Sequence, residues 1–254
     1  MSVAAAARAE WVKIRTLRST VGALLPVVVV GVGLAHLAGT SMRDARADGP
    51  PLDPLFPAFY GLTLAQLGVV VFAVLTIGSE YGTGTIAPAL LATPRRGVFY
   101  AGKAIAATLA AAAVALVTVP GAFAAAQAAL GPKGVGVTAE GVPEALVGAF
   151  LFLTLMCPFA LGVATMLRST VRALAILLPV FFLGSQGIAN VPALKPVLQY
   201  MPDQVAWVIM HLTGPPGDPR FARDYGPWEG VGLLVLWTAA ALAGGYLVLR
   251  RADV

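Results

Sequence analysis

Long apolar runs constrain this chain more than any other feature of its sequence. Six runs are apolar and about long enough to cross a membrane, since roughly 20 helical residues span about 30 Å of hydrocarbon. They cover residues 21–38, 57–77, 104–130, 145–167, 173–189 and 230–249. Hydrophobic residues make up 58% of the chain and charged residues 11%, unlike a soluble domain. The sequence therefore predicts a single all-α membrane domain, residues 1–254, with six transmembrane helices.

Positive charge is divided unequally between the two sets of connections, and Lys and Arg accumulate on the cytoplasmic side of membrane proteins. One side carries eleven cations against three acidic residues, and the other carries six against nine. The eleven are Arg8, Lys13, Arg15, Arg18, Arg95, Arg96, Lys103, Arg168, Arg172, Arg250 and Arg251. We therefore expect both termini in the cytoplasm and residues 190–229 outside. Because this rule explains the basic balance, no nucleic-acid partner is expected.

Residues 1–20 precede the first span and predict a cytoplasmic amphipathic helix at the membrane surface. At about 100° per residue, one apolar arc holds Trp11, Ile14, Leu17 and Val21. Glu10 falls inside this arc, with Lys13 one turn on as a possible partner. The pair is interpreted either as a surface ion pair or as part of a docking contact.

The six predicted span cores contain no Asp, Glu, Lys or Arg. A charge at mid-bilayer costs about 2.5–3.5 kcal/mol on insertion scales, so ion-coupled carriers keep one only where it binds substrate or relays a proton. A secondary carrier is therefore disfavoured. Neutral polar residues remain, and Gln66, Ser185 and Gln186 are candidates for a substrate path or for hydrogen bonds between packed helices.

Two short motifs suggest catalysis or nucleotide binding but lack the necessary companions. Residues 184–187, Gly-Ser-Gln-Gly, place the serine one position too early for an intramembrane serine protease, and the two histidines, His36 and His211, lie at a span end and in an external loop. The Gly97, Gly102, Lys103 spacing imitates a phosphate loop, but Ala104 follows where Ser or Thr is needed. We expect no catalytic residue, no metal site and no cofactor in this chain.

The link formed by residues 78–103 is the conspicuously polar connection between two apolar spans. Within it, Thr85 is placed to cap a short helix over residues 86–92, which Thr93 and Pro94 end. A short helix held between two rigid spans offers a cytosolic protein a surface to push on. Glu80, Arg95 and Arg96 are expected in this solvated link, with the arginines facing acidic groups or lipid phosphates.

Three stretches resemble permeases of the type-2 (export) ABC transporter family. The link resembles their first cytoplasmic loop through Glu80-Tyr81-x-Thr83-Gly84-Thr85, then Leu91-x-Thr93-Pro94-Arg95-Arg96 and Lys103. The amino terminus resembles the elbow helix of actinobacterial members through Glu10-Trp11-x-Lys13-x-Arg15-x-x-Arg18-Ser19. The Arg168-Ser169-Thr170 turn resembles their second cytoplasmic contact, whereas Ala87 and Pro88 depart from the pattern of the loop.

The resemblance implies an exporter permease in a bacterial plasma membrane, working as a dimer with two copies of a cytosolic ATPase that binds ATP and Mg²⁺. It implies coupling through Glu10, Glu80, Tyr81, Gly84, Thr85, Arg95, Arg96 and Arg168. It also implies a hydrophobic or amphipathic cargo, as in multidrug or antibiotic efflux. The family further implies an external re-entrant segment, expected over residues 191–212 with a short helix after Asp203. A membrane anchor or sensor that docks a signalling protein is the alternative.

Overall fold

Ten α-helices make up the part of the chain that the computed structural model describes, and no strand occurs there. The described residues are 2–16, 18–43, 53–214, 219 and 221–251, with the backbone alone given for residues 18–21. The helices are α1 (Val3–Thr16), α2 (Arg18–Arg43), α3 (Phe56–Tyr60), α4 (Leu62–Gly82), α5 (Ile86–Ala92), α6 (Arg96–Leu130), α7 (Val142–Leu167), α8 (Thr170–Ser185), α9 (Lys195–Leu198) and α10 (Pro227–Arg251). The predicted all-α class is confirmed.

Five segments are long and apolar enough to cross a membrane: α2, the α3–α4 pair, α6, α7 and α10. The sixth predicted span, residues 173–189, corresponds to the apolar helix α8, which has 16 residues. At about 1.5 Å per residue it is roughly 24 Å long, less than a hydrocarbon core of about 30 Å. The chain is a polytopic helical membrane protein with five helices of spanning length in its described part.

Helices α4 and α7 form the centre of the bundle. The buried share of the most apolar stretch is 67% in the α3–α4 pair and 61% in α7. The same share is 22% in α2 and 28% in α10. Helix α7 packs against α4, α6 and α10, while α2 packs against α4 and α6. The peripheral helices therefore present most of their apolar side chains to lipid.

Small residues allow the helices to approach closely, as is common in membrane bundles. The face of α6 towards its neighbours is rich in buried alanine, including Ala107, Ala111, Ala122 and Ala126. A side chain at Gly39 of α2 would meet the Ala126 carbonyl oxygen at 2.7 Å. Bulkier residues along this seam would force α2 away from α6.

The two ends of the bundle differ in charge. One end, here called the basic end, carries α1, α5, the α7–α8 turn and the last turn of α10, with Arg8, Arg95, Arg168 and Arg250. The other, called the opposite end, carries residues 53–55, 131–141 and 186–226 where described. The charged residues Asp44, Arg46, Asp48, Asp218, Arg220 and Asp253, counted above for the orientation, lie outside the described residues.

The predicted polar link at residues 78–103 is shorter in the structure. Helix α4 continues to Gly82 and α6 begins at Arg96, so residues 83–95 alone connect them. Glu80 and Lys103 therefore lie inside the ends of spanning helices. Both residues lie outside the predicted span cores 57–77 and 104–130, in which no charge was expected.

The predicted helix after Asp203 is also wrong, because residues 201–211 form consecutive turns. Val205, Ala206, Ile209 and Met210 are each at most 2% exposed, so the segment is enclosed by protein. Ile209 fills the notch left by Gly148 of α7, and the Val205 carbonyl lies against Gly230 of α10. Packing on several helices at once overrides the local preference for a surface helix.

Candidate functional site

Four charged side chains meet in one ionic cluster at the basic end, in which Glu10, Glu80 and Lys103 are buried and Lys13 is exposed. Lys103 of α6 is fully buried, and its Nζ atom lies 2.6 Å from Oε2 of Glu10 in α1 and 2.9 Å from Oε1 of Glu80 in α4. Lys13 of α1 lies 2.9 Å from Oε1 of Glu10 and 2.6 Å from Oε1 of Glu80. The ionic cluster thus joins α1, α4 and α6.

The sequence of α1 explains why Glu10 points into the protein. Ala6, Glu10 and Ile14 are buried and recur every four residues, so they line one face of the helix. This face lies on α6 at Gly102, where a side chain would meet the Ala6 Cβ at 2.5 Å. The close approach brings Glu10 within reach of Lys103, the next residue of α6. Leu17 and the side chains of Arg18, Ser19 and Val21 lie outside the described residues.

Charge balance makes burial of the ionic cluster tolerable, since two carboxylates face two ammonium groups. Burial is the largest effect on Glu10 and disfavours its charged form, but Lys103 and Lys13 outweigh it and hold the pKa of Glu10 below its ordinary value. Burial likewise disfavours charged Lys13, yet Glu80 and Glu10 raise the pKa of Lys13. Lys103 also donates to the Thr76 carbonyl at 3.3 Å. Removing one member leaves a buried charge uncompensated.

The interhelical link, residues 83–95, carries α5 directly beside the ionic cluster. Helix α5 covers Ile86–Ala92, which confirms the predicted range. Ile86 and Leu90 are buried towards the bundle, whereas Leu91 is 81% exposed. Arg95 is exposed at the end of the link. The outward side of the link is therefore an accessible surface made of one large apolar side chain and one cation.

The predicted cap at Thr85 differs from the structure in its hydrogen bond. Thr85 occupies the N-cap position of α5, but its hydroxyl pairs with the Thr83 hydroxyl at 2.9 Å instead of accepting from the helix. Gly84 precedes it with φ +70°, a left-handed conformation that glycine adopts without strain. The role of Gly84 is therefore to let the chain turn out of α4.

A cavity of about 480 Å³ lies between α1, the end of α4 and α5. Apolar and hydroxyl groups line most of it, together with members of the ionic cluster; they are Glu10, Lys13, Ile14, Leu75, Thr76, Ser79, Glu80, Thr83, Thr85 and Ala89. The cavity leaves space for α1 and α5 to shift relative to α4 without first expelling packed side chains.

Arg96 and Arg168 hold the end of α10. Nη1 of Arg96 donates to the carbonyl oxygens of Leu249 at 2.8 Å and Arg250 at 3.0 Å. Nη2 of Arg168 donates to the Val248 carbonyl at 3.0 Å. Cations at a helix C-terminus satisfy its free carbonyls and its dipole. Both arginines therefore have an internal structural task.

The predicted coupling residues accordingly divide into two groups. Glu10, Glu80, Arg96 and Arg168 contact other helices of the same chain. Glu10 and Glu80 are each 8% exposed, so the expectation that Glu80 lies in a solvated link is wrong. Tyr81 is half-buried, and its hydroxyl makes no hydrogen bond to the described residues. Gly84, Thr85 and Arg95 are exposed. Direct contact of any of them with a partner stays a prediction.

The predicted path residues do not form one polar surface. Gln66 is fully buried and donates from Nε2 to the Thr63 carbonyl at 2.7 Å, within its own helix. The Ser185 hydroxyl donates to the Phe182 carbonyl at 2.6 Å, and the exposed Gln186 donates to Ser185 at 3.1 Å. Each of these three bonds joins residues of one helix or its end, so a substrate path and hydrogen bonds between helices both stay predictions.

An apolar lateral groove of about 590 Å³ lies between α2, α4 and α8. Its lining consists of Ala23, Pro26, Leu67, Gly68, Val71, Leu178, Pro179 and Phe182, and the three predicted path residues are not among them. Pro26 and Pro179 interrupt the backbone hydrogen bonds of α2 and α8 beside the groove. The groove can accept an apolar molecule or acyl chain from the lipid side.

Glu80, Lys103 and Asp203 are the charged residues whose surroundings differ from those expected from the sequence. Lys103 was assigned to the link, although Gly102 beside it marks a close approach. Asp203 was assigned to a helix cap, but it is 2% exposed at the opposite end. Local patterns did not reveal either environment, because the neighbours come from distant parts of the chain. No family model and no curated protein matches this sequence.

Proposed function

We propose that this chain is the permease subunit of an exporter of the type-2 ABC class, driven by a separate cytosolic ATPase. The observation that carries the proposal is the position of α5. It connects two spanning helices at the basic end, exposes Leu91 and Arg95, and lies next to the ionic cluster that joins α1, α4 and α6. Force applied to α5 reaches three helices through these contacts.

The ionic cluster is the transmitting element in this proposal. Glu80 lies three residues before the link, and Lys103 lies eight residues after it. A displacement of α5 pulls on both helix ends, and α1 follows because Glu10 and Lys13 bind the same groups. The cavity beside them gives the motion room. Two such permeases with two ATPases would alternate between inward-open and outward-open arrangements.

The cargo in this proposal is hydrophobic or amphipathic. The lateral groove beside α4 and α8 offers apolar contact along the two elements from which the sequence predicted the path. Apolar contact with few hydrogen bonds gives broad selectivity, since each hydrogen bond adds about 0.5–1.5 kcal/mol. Leu67 and Phe182 are the side chains that replace Gln66, Ser185 and Gln186 as the first positions to test for cargo selection.

The basic end is proposed to face the cytoplasm of a bacterial plasma membrane. Its surplus of Lys and Arg supports this orientation. Single cysteines at Leu91 and Val137 test it, because both residues are exposed and Cys157 is fully buried. An impermeant thiol reagent applied to whole cells should modify the cysteine at 137 and spare the one at 91. The reverse pattern would invert the proposed topology.

The experiment for the partner compares two matched variants of the tagged, full-length chain purified from its native membrane in mild detergent. Leu91→Asp changes an exposed apolar side chain of α5, and Val137→Asp changes one at the opposite end. Native and Val137→Asp preparations should contain a nucleotide-binding subunit and hydrolyse Mg-ATP, and Leu91→Asp should lose both. A signalling protein retained through Leu91 without ATP hydrolysis would favour an anchor or sensor instead.

A further inference from the structure

The segment formed by residues 199–212, here called the capping segment, closes the opposite end of the bundle without forming a regular helix. It fits into notches at three glycines, Gly148 of α7, Gly184 of α8 and Gly230 of α10, where any side chain would overlap the segment. Its backbone bonds are turn bonds such as Trp207 N–H to Gln204 O at 3.1 Å. Tertiary contacts, more than its own hydrogen bonds, therefore keep it docked.

Asp203 lies at one docking point of the capping segment. Its carboxyl group is 2% exposed, and a side chain at Gly184 would overlap its Oδ2 atom. Oδ2 accepts from Nε2 of Gln204 at 2.7 Å, and the same Nε2 donates to the Gly184 carbonyl at 3.0 Å. Among the described residues, no Lys, Arg or His forms an ion pair with Asp203. The carboxylate is thus buried beside a helix end without a compensating charge.

Where the structure describes them, the elements packed around Asp203 provide no such charge nearby. Helix α8 contributes Gly184 and Ser185, and α10 contributes Gly230 beside the next residues of the segment. The stretch before α10 contributes Tyr225, whose hydroxyl donates to the carbonyls of Gln199 at 2.7 Å and Gln204 at 3.2 Å. Burial raises the pKa of Tyr225, so this phenol stays protonated.

The neighbouring charged groups are engaged elsewhere. Nη2 of Arg223 donates to Oδ1 of Asn190 at 2.7 Å. Oδ2 of Asp224 accepts from Gln199 and from Tyr200. They hold the rim of the capping segment and leave the Asp203 carboxylate uncompensated.

His211 anchors the other end of the capping segment. Its Nδ1 atom lies 2.6 Å from Oδ2 of Asp53, in the chain before α3, and its ring lies beside Gly141 at the start of α7. Glu140, next to Gly141, is exposed. Burial alone would raise the pKa of Asp53, but the hydrogen bond to His211 outweighs it and lowers this pKa.

We propose that Asp203 is a proton-binding site that makes docking of the capping segment pH-dependent. The chemical ligand is the proton. In the docked state a proton on Asp203 removes an uncompensated buried charge. Loss of this proton favours release of the segment from α7, α8 and α10.

The direction in which docking changes with pH follows from the pKa of Asp203. Burial raises its pKa from the ordinary value of 3.8 to about 6. A raised carboxyl pKa stabilises the docked state fully below pH 3.8, and this stabilisation is lost as pH rises through about 6. The Asp203 contribution alone should increase the undocked population about tenfold between pH 5 and pH 7.5.

Cysteine reactivity of the purified full-length protein in detergent measures docking directly. Val205 is fully buried in the capping segment, and Val137 is 58% exposed at the same end. The maleimide rate of Val205→Cys is divided by that of Val137→Cys at each pH, which removes the intrinsic pH dependence of the thiol. The ratio should rise about tenfold or more from pH 5 to pH 7.5. A flat ratio overturns the proposal.

Neutral variants identify the group responsible. Asp203→Asn in the Val205→Cys chain should remove the rise. Asp203→Ser is a second neutral variant if Asn does not fold. Glu144→Gln, an exposed carboxylate at the start of α7, should keep the full rise. A full rise in a neutral Asp203 variant overturns the proposal.

Discussion

Nζ of Lys103 and Oε2 of Glu10 lie 2.6 Å apart although 93 residues separate them in the chain. The contact fastens a helix that lies beside the membrane-spanning bundle to one that belongs to it. Glu80 binds the same ammonium group from α4. The basic end of the protein is therefore organised around one fully buried cation, and the position of α1 depends on that cation.

Replacing Lys103 by Met should destabilise the protein by about 3–5 kcal/mol, because Glu10 and Glu80 would keep buried charges without their main partner. Equilibrium unfolding in mixed micelles measures the change. Arg8→Met on the exposed side of α1 is the matched control and should alter stability by less than about 0.5 kcal/mol. Equal stability of the two variants would mean that the ionic cluster does not hold α1.

The double variant Glu10→Gln with Lys103→Met should lower the free energy of unfolding by less than the sum of its single changes, because each single change leaves a charge buried.

The stability that the ionic cluster provides should also be confined to a defined pH range. The lowered pKa of Glu10 contributes stability above its ordinary value of 4.5, and this is lost as pH falls below that value. The raised pKa of Lys13 contributes stability below 10.5, and this is lost as pH rises further. Thiol accessibility of Ala6→Cys, on the face of α1 that is buried against α6, should be lowest between these limits.

Gly102→Ala should move α1 away from α6, because the added methyl group would lie 2.5 Å from the Ala6 Cβ. Overpacking of this kind costs about 1–3 kcal/mol. Gly33→Ala on α2 is the control, since a methyl group there meets nothing within 4 Å and alanine favours the helix. Unfolding measurements should give opposite signs for the two changes. A stabilising Gly102→Ala would contradict the observed contact.

Arg95 and Arg96 should behave differently despite their adjacency. Arg96→Gln should loosen the end of α10 and lower stability by about 1–2 kcal/mol, because it weakens the hydrogen bonds to Leu249 and Arg250. Arg95→Glu changes an exposed side chain and should leave stability unchanged while reducing ATPase recovery in affinity purification. The opposite assignment of the two effects would make Arg95 the structural residue.

The sequence predicted which residues form helices better than which residues those helices contact. Apolar runs identified the long helices, and the Thr93–Pro94 pair marked the end of α5 at Ala92. The ends of α4 and α6 were missed because Glu80 and Lys103 look solvated in isolation. Their burial is tolerated only because opposite charges arrive from α1 and from each other.

The candidate site was predictable only in part for the same physical reason. The spacing of Ala6, Glu10 and Ile14 signals that Glu10 faces inward, but nothing local names Lys103 as its partner. The capping segment is mostly apolar after Asp203, which suits a short surface helix, but contacts with α7, α8 and α10 hold it in turns. Long-range packing decided both environments.

In the proposed mechanism an ATPase acts on α5 and drives export through this chain. Transport in sealed vesicles tests this mechanism most directly. The purified complex is reconstituted with ATP on the side of the basic end, and movement of an amphipathic fluorescent compound is followed. We expect uptake with ATP and none with a non-hydrolysable analogue. With ATP, Leu91→Asp should lose uptake and Val137→Asp should keep it. Equal uptake with and without ATP, or full ATP-driven uptake by Leu91→Asp, would contradict this mechanism.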